Sequence, residues 1–516
     1  MQSAPAQLAA KEAAALEPAD AFGAAALFVA GTLLAAFLFT GFARAGRPTY
    51  EDEFAYRLQA QTFASGHVSF PSPPLPEFFE APHVLVVPRY AAKYFPGHAA
   101  LLAPFFALHV PWLGPALLLG ADAAVIFLAL RLSGVGRWVA LTAIVLLLFG
   151  SSEMVSLFGS YLSQTTSTFV VSAFLAVAAA WRRRPAISTS VVLGALCAFG
   201  GCTRPYTGLS LGAGAMALFL VARPLLLRRH LLALALPAAL GVVLLGAYCR
   251  TVTGSFTTTP WALYARQYMP YDGLSLTTDA NARPLRSLPA HTRDLGEGLR
   301  RSRLKYSQGW LAEQGLRALG VVAIFPGHIS ALLILPGALG ASPIALVAVA
   351  IAAVYFILQA THHFTWAAYL VELYPPLLLL AGLGLSRILR FIATVHLPPL
   401  RLALYGCLLL VAVLVGGAAA ADLRDLFRQA STISLRSWSY EPQLAQVRAV
   451  RGLVFIRYPP SWDSDEDLGY NDPNLKESPL LRAIDLGTHD ADLIAALPDR
   501  PAFLLDVETG ELHRLR

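Results

Sequence analysis

The sequence predicts an all-α polytopic membrane protein with about eleven transmembrane helices, followed by a small α/β domain at its C-terminus. Hydrophobic residues fill 56% of the 516 positions and charged residues only 14%, whereas ordinary soluble domains have about 25% charged residues. The mean hydropathy is +0.56. Long apolar runs recur as far as about residue 421, and charged and turn-forming residues replace them from there on.

The apolar runs define the expected transmembrane helices, because about twenty residues are needed to cross a bilayer. The first run is too long for the core of a signal peptide, and the residues before it carry more acids than bases, so we expect an uncleaved helix. The expected spans are about 21–43, 112–132, 137–152, 164–181, 187–203, 205–222, 231–250, 318–340, 343–361, 366–386 and 402–421.

Basic residues are concentrated in alternate short loops between the apolar runs. These loops hold Arg131 and Arg137, Arg182 to Arg184, Arg223, Arg228 and Arg229, and Arg387, Arg390 and Arg401. Cytoplasmic loops are enriched in lysine and arginine, so we expect these loops on the cytoplasmic side. The resulting domains are a cytoplasmic tail at 1–20, a transmembrane domain at 21–421 with outer loops at 44–111 and 251–317, and a soluble extracytoplasmic domain at 422–516.

The net charge of +7 follows from these same loops, so we do not interpret it as a nucleic-acid-binding surface. The adjacent pair His362-His363 has no third metal ligand nearby in the sequence. The spacing of the four cysteines matches neither a disulfide framework nor a metal site. They are Cys197, Cys202, Cys249 and Cys407. We therefore expect no metal site and no certain cofactor, with use of a divalent metal left open.

The first outer loop begins with three consecutive acids. Glu51, Asp52 and Glu53 precede a helical-looking segment at 54–65, and a carboxylate beside a wet loop can accept a proton from a hydroxyl group. An acidic triplet is also typical of a solvated helix N-terminus, where carboxylates favour the helix dipole. Farther along, the apolar run Pro96 to Val110 is too short to span a membrane and predicts an interfacial or re-entrant helix.

The other two polar segments have weaker patterns. The stretch 295–311 in the second outer loop combines leucines with basic residues and predicts a helix lying on the membrane surface. In the tail, short apolar runs at 453–456 and 503–505 are bounded by turn residues and predict β-strands.

A series of short motifs, taken in order, resembles the pattern of a known superfamily. The motifs are Tyr50-Glu51-Asp52-Glu53-Phe54-Ala55-Tyr56 with Gly66, Lys93-Tyr94-Phe95-Pro96-Gly97-His98, Gly159-Ser160-Tyr161-Leu162-Ser163-Gln164, Thr203-Arg204-Pro205-Tyr206-Thr207-Gly208 and Tyr369-Leu370-Val371-Glu372-Leu373-Tyr374-Pro375. Together they are similar to the GT-C superfamily of polyprenyl-phosphate-sugar-dependent glycosyltransferases, which includes bacterial protein O-mannosyltransferases and the aminoarabinose transferases of lipid A. The resemblance covers about residues 20 to 420 and implies a GT-C-like transmembrane domain.

The resemblance implies a hexosyl- or pentosyltransferase in a bacterial inner or plasma membrane. Its reaction moves a sugar, with inversion, from a polyprenyl-phosphate donor to a hydroxyl of a glycan, lipid or protein on the extracytoplasmic face. Asp52 is the implied general base. Glu53 is the second implied catalytic acid, although in a helix its side chain points about 100° away from that of Asp52. Lys93 and Arg204 are implied phosphate ligands. The alternative is that each is an interfacial residue at the end of a span, whose charged group extends to the membrane surface.

Five further residues are expected near the sugar or the carrier phosphate. Tyr56 and Tyr161 could contact the sugar, although aromatic residues at a membrane interface are usually anchors. His98 could orient the donor or cap the short helix, and Gln164 could hydrogen-bond a hydroxyl. Glu372 lies near the middle of an expected span, where an acid needs a charged partner or water.

Two departures from the superfamily pattern leave other functions open. Many relatives have a second acid where this chain has Gln164, and an arginine where it has Ala368, so metal use, one phosphate contact and even catalysis itself stay open. A transporter or flippase usually has inverted repeats and several ionisable groups at the midplane. A glycan polymerase or ligase shares the carrier lipid but uses a diphosphate donor. The expected partners are the carrier lipid and a hydroxyl acceptor, without nucleic acid, and the oligomeric state is left open.

Overall fold

The computed structural model describes residues 16–41, 46–221, 224–273, 279, 281–340, 342–363 and 366–516. Most of the predicted cytoplasmic tail, residues 1–15, therefore lies outside the described residues. The described chain is mainly helical, with two small β-sheets in its polar segments. This is the fold class that the sequence predicts.

The elements are numbered in chain order. The α-helices are α1 Pro18–Thr40, α2 Glu51–Ala64, α3 Pro96–Ala107, α4 Leu113–Leu132, α5 Arg137–Ala143, α6 Ser152–Phe158, α7 Gln164–Arg183, α8 Ile187–Thr203, α9 Pro205–Leu220, α10 Pro224–Thr253, α11 Pro260–Tyr268, α12 Arg293–Gln308, α13 Trp310–Ala323, α14 Ile334–Leu339, α15 Pro343–Gln359, α16 Tyr374–Thr394, α17 Pro398–Thr432, α18 Glu441–Ala449 and α19 Asp490–Ala496. The strands are β1 Phe70–Pro71, β2 Val84–Leu85, β3 Arg89–Ala92, β4 Leu453–Arg457, β5 Leu481–Ile484, β6 Ala502–Asp506 and β7 Glu511–Arg514.

Six helices of the described chain are long and apolar enough to cross a membrane: α1, α4, α7, α10, α16 and α17. A further span is formed if α5 and α6 count as one helix, which bends by 77° at its break. The helices α8, α9 and α15 and the segment Ile329–Leu339 are apolar but shorter. The protein is therefore a multi-pass membrane protein, and the number of spans stays a prediction.

Two predicted spans have a different form in the structure. The expected span 318–340 is interrupted after α13 by a turn in which Gly327 has a φ of +61°, and it resumes as a 3₁₀ turn and the short α14. The expected span 366–386 starts with two 3₁₀ turns, and its α-helix begins only at Tyr374. Prolines follow at 375 and 376, where their missing N–H groups cost a helix nothing. Glu372 therefore lies before the helix, and the prediction that it sits near mid-span is wrong.

The ends of the helix bundle can be told apart through α1, whose 23 residues cover about 35 Å. At its first turn the buried Asp20 pairs with Arg131 at 2.8 Å and with Arg137 at 2.9 Å. These arginines belong to a loop predicted to be cytoplasmic. In the middle of α1, Gly31 lets α4 approach closely, because an added Cβ would lie 3.0 Å from the Cα of Gly120.

The polar segments gather beyond the other end of α1. The first contains α2, an antiparallel sheet of order β1-β3-β2, and the short apolar helix α3. Helix α3 confirms the prediction of a short helix starting at Pro96. The second segment contains α11 and α12, and two leucines of α12, Leu295 and Leu299, pack against the cluster around Tyr264.

The C-terminal domain is a four-stranded sheet of order β5-β4-β6-β7, with β4 parallel to both neighbours and β7 antiparallel. Both predicted strands are present as β4 and β6. Alternate residues of β4 face opposite sides: Leu453 and Phe455 pack with Phe78 of the first polar segment, while Val454 and Ile456 pack with the α18 side. Helix α17 continues to Thr432, past the predicted boundary at 422, because the charged stretch after 421 contains no glycine or proline.

Candidate active site

A cavity of about 600 Å³ lies between the polar segments and the adjacent helix ends. Ligand sites are typically cavities of this size with a few convergent polar groups on a largely apolar wall. The ionisable residues on its wall, tyrosines apart, are Glu51, Asp52, His83, Lys93, Arg204, Asp272, Asp294, His362 and Asp465. The aromatic residues are Tyr50, Tyr56, Tyr94, Phe95, Tyr206, Trp261, Trp366 and Tyr369.

Asp52 stands in the first turn of α2 and lines the cavity. The hydroxyl of Tyr94 donates a hydrogen bond to Asp52 Oδ1, and His83 Nε2 lies 3.6 Å from the same oxygen. Burial raises the pKa of Asp52 above its ordinary value, and the positive charges of Lys93 and Arg204 oppose the rise. A carboxylate whose pKa is raised towards the working pH is a better proton acceptor.

Glu53, the second predicted catalytic acid, does not line the cavity. Successive helix residues point about 100° apart, so the turn that presents Asp52 to the cavity directs Glu53 into the protein. The side chain is fully buried, and its Oε1 accepts a hydrogen bond of 3.4 Å from the hydroxyl of Thr49. The structure therefore does not bring Glu53 together with the other predicted site residues.

Lys93 follows strand β3 and is 6% exposed in the cavity wall. Its ammonium nitrogen lies 5.4 Å from the ring centre of Tyr94 and 5.1 Å from that of Tyr264. None of the close ion pairs among the described residues involves Lys93, but its positive charge acts to lower the pKa of Asp52. A buried ammonium group without a close ion-pair partner can bind an anionic ligand such as a phosphate.

Arg204 lies at the junction of α8 and α9 and also lines the cavity. Its Nε is 2.6 Å from Glu372 Oε1, and the hydroxyl of Thr207 donates to Oε2 of the same carboxylate. The guanidinium group also donates to Ser163 Oγ at 3.2 Å and lies 5.4 Å from the ring centre of Tyr369. Glu372 itself is not on the cavity wall, and Arg204 is the charged partner that its burial requires.

Of the five further residues expected near the sugar or the carrier phosphate, Tyr56 and Gln164 line the cavity. The ring of Tyr56 stacks on Tyr94 with centroids 3.9 Å apart, and its hydroxyl lies 2.7 Å from Ser163 Oγ. Gln164 is the first residue of α7, which brings its amide to the end of that helix. Both side chains are therefore accessible from the cavity.

The other two predicted contacts, His98 and Tyr161, lie outside the cavity wall. The ring of His98 is buried, with Nδ1 2.8 Å from Thr166 Oγ1 and Nε2 2.7 Å from the carbonyl oxygen of Tyr161. The hydroxyl of Tyr161 donates to the carbonyl of Gly46 at 3.0 Å. The bonds of His98 join α3 to the start of α7. Neither side chain lies on the cavity wall, and a contact of either with a substrate stays a prediction.

The sequence analysis missed the contribution of the C-terminal domain. The backbone N–H of Glu51 donates to Asp465 Oδ1 at 3.1 Å, and Tyr470 stacks on Phe54 with centroids 4.6 Å apart. Burial raises the pKa of Glu51 well above its ordinary value, and the neighbouring carboxylate of Asp465 raises it further. No local pattern relates positions 51 and 465, so no sequence signal could have identified this contact.

The histidine pair also has a neighbour that the sequence did not indicate. One ligand atom each of Asp272, His362 and His363 lies within 4.8 Å of the others. The sequence near the pair offers no third ligand, but the fold supplies Asp272 from another loop.

Comparison with known proteins gives a likeness in structure only. No family model and no curated protein matches the chain. The crystal structure of ArnT from Cupriavidus metallidurans in the apo state is 16% identical with a TM-score of 0.53, over 94% of this chain and 93% of that chain. The structure of ArnT from the same organism bound to undecaprenyl phosphate is 16% identical with a TM-score of 0.51, over 94% and 90%.

A third structure is more distant. It is the archaeal oligosaccharyltransferase AglB from Archaeoglobus fulgidus in complex with an inhibitory peptide and a dolichol-phosphate, at 13% identity and a TM-score of 0.40, over 82% of this chain and 57% of that chain. The agreement with ArnT extends over nearly the whole of both chains and concerns the fold. The chain therefore shares the fold of the ArnT structures, and this agrees with the fold that its motifs predict.

Proposed function

We propose that the protein is a membrane glycosyltransferase that moves a sugar from a polyprenyl-phosphate donor to a hydroxyl acceptor, on the extracytoplasmic face of the membrane and with inversion. The observation that carries the proposal is a single cavity that holds a carboxylate with a raised pKa, Asp52, together with the cations Lys93 and Arg204. The likeness in fold to ArnT, one structure of which is bound to undecaprenyl phosphate, supports a carrier lipid as the donor.

In the proposed reaction the acceptor oxygen forms a bond to the anomeric carbon while the bond from that carbon to the phosphate oxygen breaks. Asp52 takes the hydroxyl proton, and the polyprenyl phosphate leaves with the electron pair. Attack from the face opposite the leaving group inverts the anomeric centre. General-base assistance of this kind contributes about 10²- to 10⁴-fold in rate.

The cations act on the donor side of the same step. Lys93, which forms no close ion pair with a described residue, would bind the phosphate directly. Arg204 shares its charge with Glu372 and also lines the cavity. Charge on a leaving phosphate is stabilised by cations held in a partly dry site, where the interaction is stronger than in water. Tyr56 and Gln164 would contact the sugar, between the general base Asp52 and the cations that bind the phosphate.

The test is sugar transfer by the Asp52→Asn variant of the full-length protein, purified in detergent and supplied with polyprenyl-phosphate sugars. We expect a loss of at least about 100-fold in kcat, with an unchanged elution profile in size-exclusion chromatography. The matched control is Glu53→Gln, one residue away and off the cavity wall, which should retain transfer once folded.

Transfer by Asp52→Asn near the parent rate would refute the mechanism. Movement of an intact sugar-lipid across vesicles by the parent protein, without a covalent product, would instead favour a flippase. Turnover with a diphosphate-linked donor alone would favour a polymerase or ligase.

A further inference from the structure

The cluster of Asp272, His362 and His363 has the dimensions of an open metal site. Oδ1 of Asp272 lies 3.6 Å from His362 Nε2, and no pair of ligand atoms in the cluster is more than 4.8 Å apart. Ligands of a tetrahedral zinc ion sit at 2.0–2.2 Å from the metal and so about 3.4 Å from each other. The Asp272–His362 pair already has nearly this separation.

His363 is the residue that most needs an explanation. Its side chain is 1% exposed, and neither ring nitrogen has a hydrogen-bond partner among the residues that the structure describes. Buried polar groups in proteins are nearly always hydrogen-bonded, and leaving one without a partner destabilises the folded state. Asp272 Oδ1 likewise accepts no hydrogen bond there. A metal ion held between these atoms would be coordinated by their lone pairs, which form no hydrogen bond.

The charge balance of the cavity favours a cation at this position. Asp272 and His362 both lie on the cavity wall, so an ion between them would face the interior. The carboxylates on the wall outnumber the lysine and arginine side chains: the acids are Glu51, Asp52, Asp272, Asp294 and Asp465, and the bases are Lys93 and Arg204. A bound divalent ion becomes the largest local charge and offsets this excess.

The donor set selects the kind of ion. Two imidazoles with one carboxylate suit zinc and its first-row neighbours, whereas magnesium and calcium prefer oxygen ligands throughout. Two histidines and one carboxylate also form a common catalytic zinc set, in which the fourth position stays open for water or substrate. Here the open position would face the cavity.

We propose that Asp272, His362 and His363 bind one divalent transition-metal ion of the zinc class in the cavity wall, with its open position directed at an oxygen of the bound donor. The inference of a metal site depends only on the arrangement of these three side chains. Its contact with the donor phosphate rests on the proposed function. In that role the ion would bind a phosphate oxygen and help Lys93 to hold the leaving group.

The first experiment measures metal content. The full-length protein, with any affinity tag removed, is stripped with a chelator, incubated with Zn²⁺ alone, dialysed and analysed by elemental mass spectrometry. We expect about one Zn²⁺ per chain for the parent and a loss of affinity of more than about tenfold for His363→Gln and for Asp272→Asn. The matched control is His230→Gln, a buried histidine that bonds Ser190 away from the cavity, which should keep the ion.

Two further measurements keep the result interpretable if a variant is unstable. Zn²⁺ should raise the unfolding temperature of the parent but not of a folded His363→Gln protein, and Co²⁺ substitution should give the visible absorption of a low-coordinate site in the parent only. A parent that retains no Zn²⁺, or variants that retain it undiminished, would overturn the proposal. The Asp52→Asn variant separates the two proposals, because it should lose transfer while still binding Zn²⁺.

Discussion

Replacing Arg204 alone should damage both the stability and the activity of the protein. In Arg204→Met the carboxylate of Glu372, whose side chain is fully buried, loses the cation 2.6 Å away. Breaking a buried ion pair by removing one partner costs about 3–5 kcal/mol, whereas replacing both partners by apolar residues of similar size is often nearly neutral. We therefore expect Arg204→Met to unfold much more readily than the parent, and Arg204→Met/Glu372→Met to regain most of the loss.

Activity should not follow stability in this series. If Arg204 contacts the donor phosphate, the double variant recovers its fold but still lacks one charge-assisted hydrogen bond, which is worth about 1.5–3 kcal/mol. That loss corresponds to about a tenfold to hundredfold decrease in kcat/KM. The double variant should therefore be stable and slow, and Lys93 should account for the activity that remains.

The assay pairs chemical or thermal unfolding of the detergent-solubilised variants with sugar transfer from a polyprenyl-phosphate donor. The exposed pair Arg300–Glu297, 2.6 Å apart on α12, gives the control, and Arg300→Met should change neither quantity measurably. Transfer by the double variant at the parent rate would refute the functional role of Arg204 and leave the pair purely structural.

Two further predictions concern the general base Asp52 and the close packing of α3 against α8. Tyr94→Phe removes a hydrogen bond that stabilises the charged form of Asp52, so its pKa should rise further and the acid limb of the kcat/KM profile should move up by about one pH unit; a shift to lower pH would contradict this. Gly97→Ala would bring a Cβ to 2.8 Å from the backbone nitrogen of Thr203, next to Arg204, and should destabilise the protein by about 1–3 kcal/mol. The control is Gly212→Ala in α9, where an added Cβ meets nothing within 4 Å, and which should unfold no more readily than the parent.

The features that follow from local pattern could be predicted from the sequence. Helices that cross a bilayer must be long and apolar, so composition alone identified the membrane class. Short apolar runs bounded by turn residues identified β4 and β6. The motifs around Asp52, Lys93 and Arg204 were each recognisable within a few residues, and the structure brings all three to one cavity. Each of these motifs could be identified because its signal lies within a few consecutive residues, whereas the roles of the three residues stay predictions.

The features that depend on the meeting of distant segments could not be predicted. Asp465 reaches the cavity only because the C-terminal sheet packs on the first polar segment, and Asp272 meets His362 only through the folding of the second. Glu53 and His98 belong to the motifs as closely as their neighbours do. Their side chains nevertheless point away from the cavity, because successive residues of a helix point about 100° apart.

The contact with the C-terminal domain also gives the adjacent acids Glu51 and Asp52 different electrostatic environments. Burial raises the pKa of both Glu51 and Asp52, but Asp465 beside Glu51 raises that pKa further, while Lys93 and Arg204 act to lower the pKa of Asp52. Titratable neighbours whose environments separate their pKa values can take different roles. The surrounding charges therefore favour the neutral form of Glu51 and the charged form of Asp52, which suits Asp52 to the general-base role that we propose.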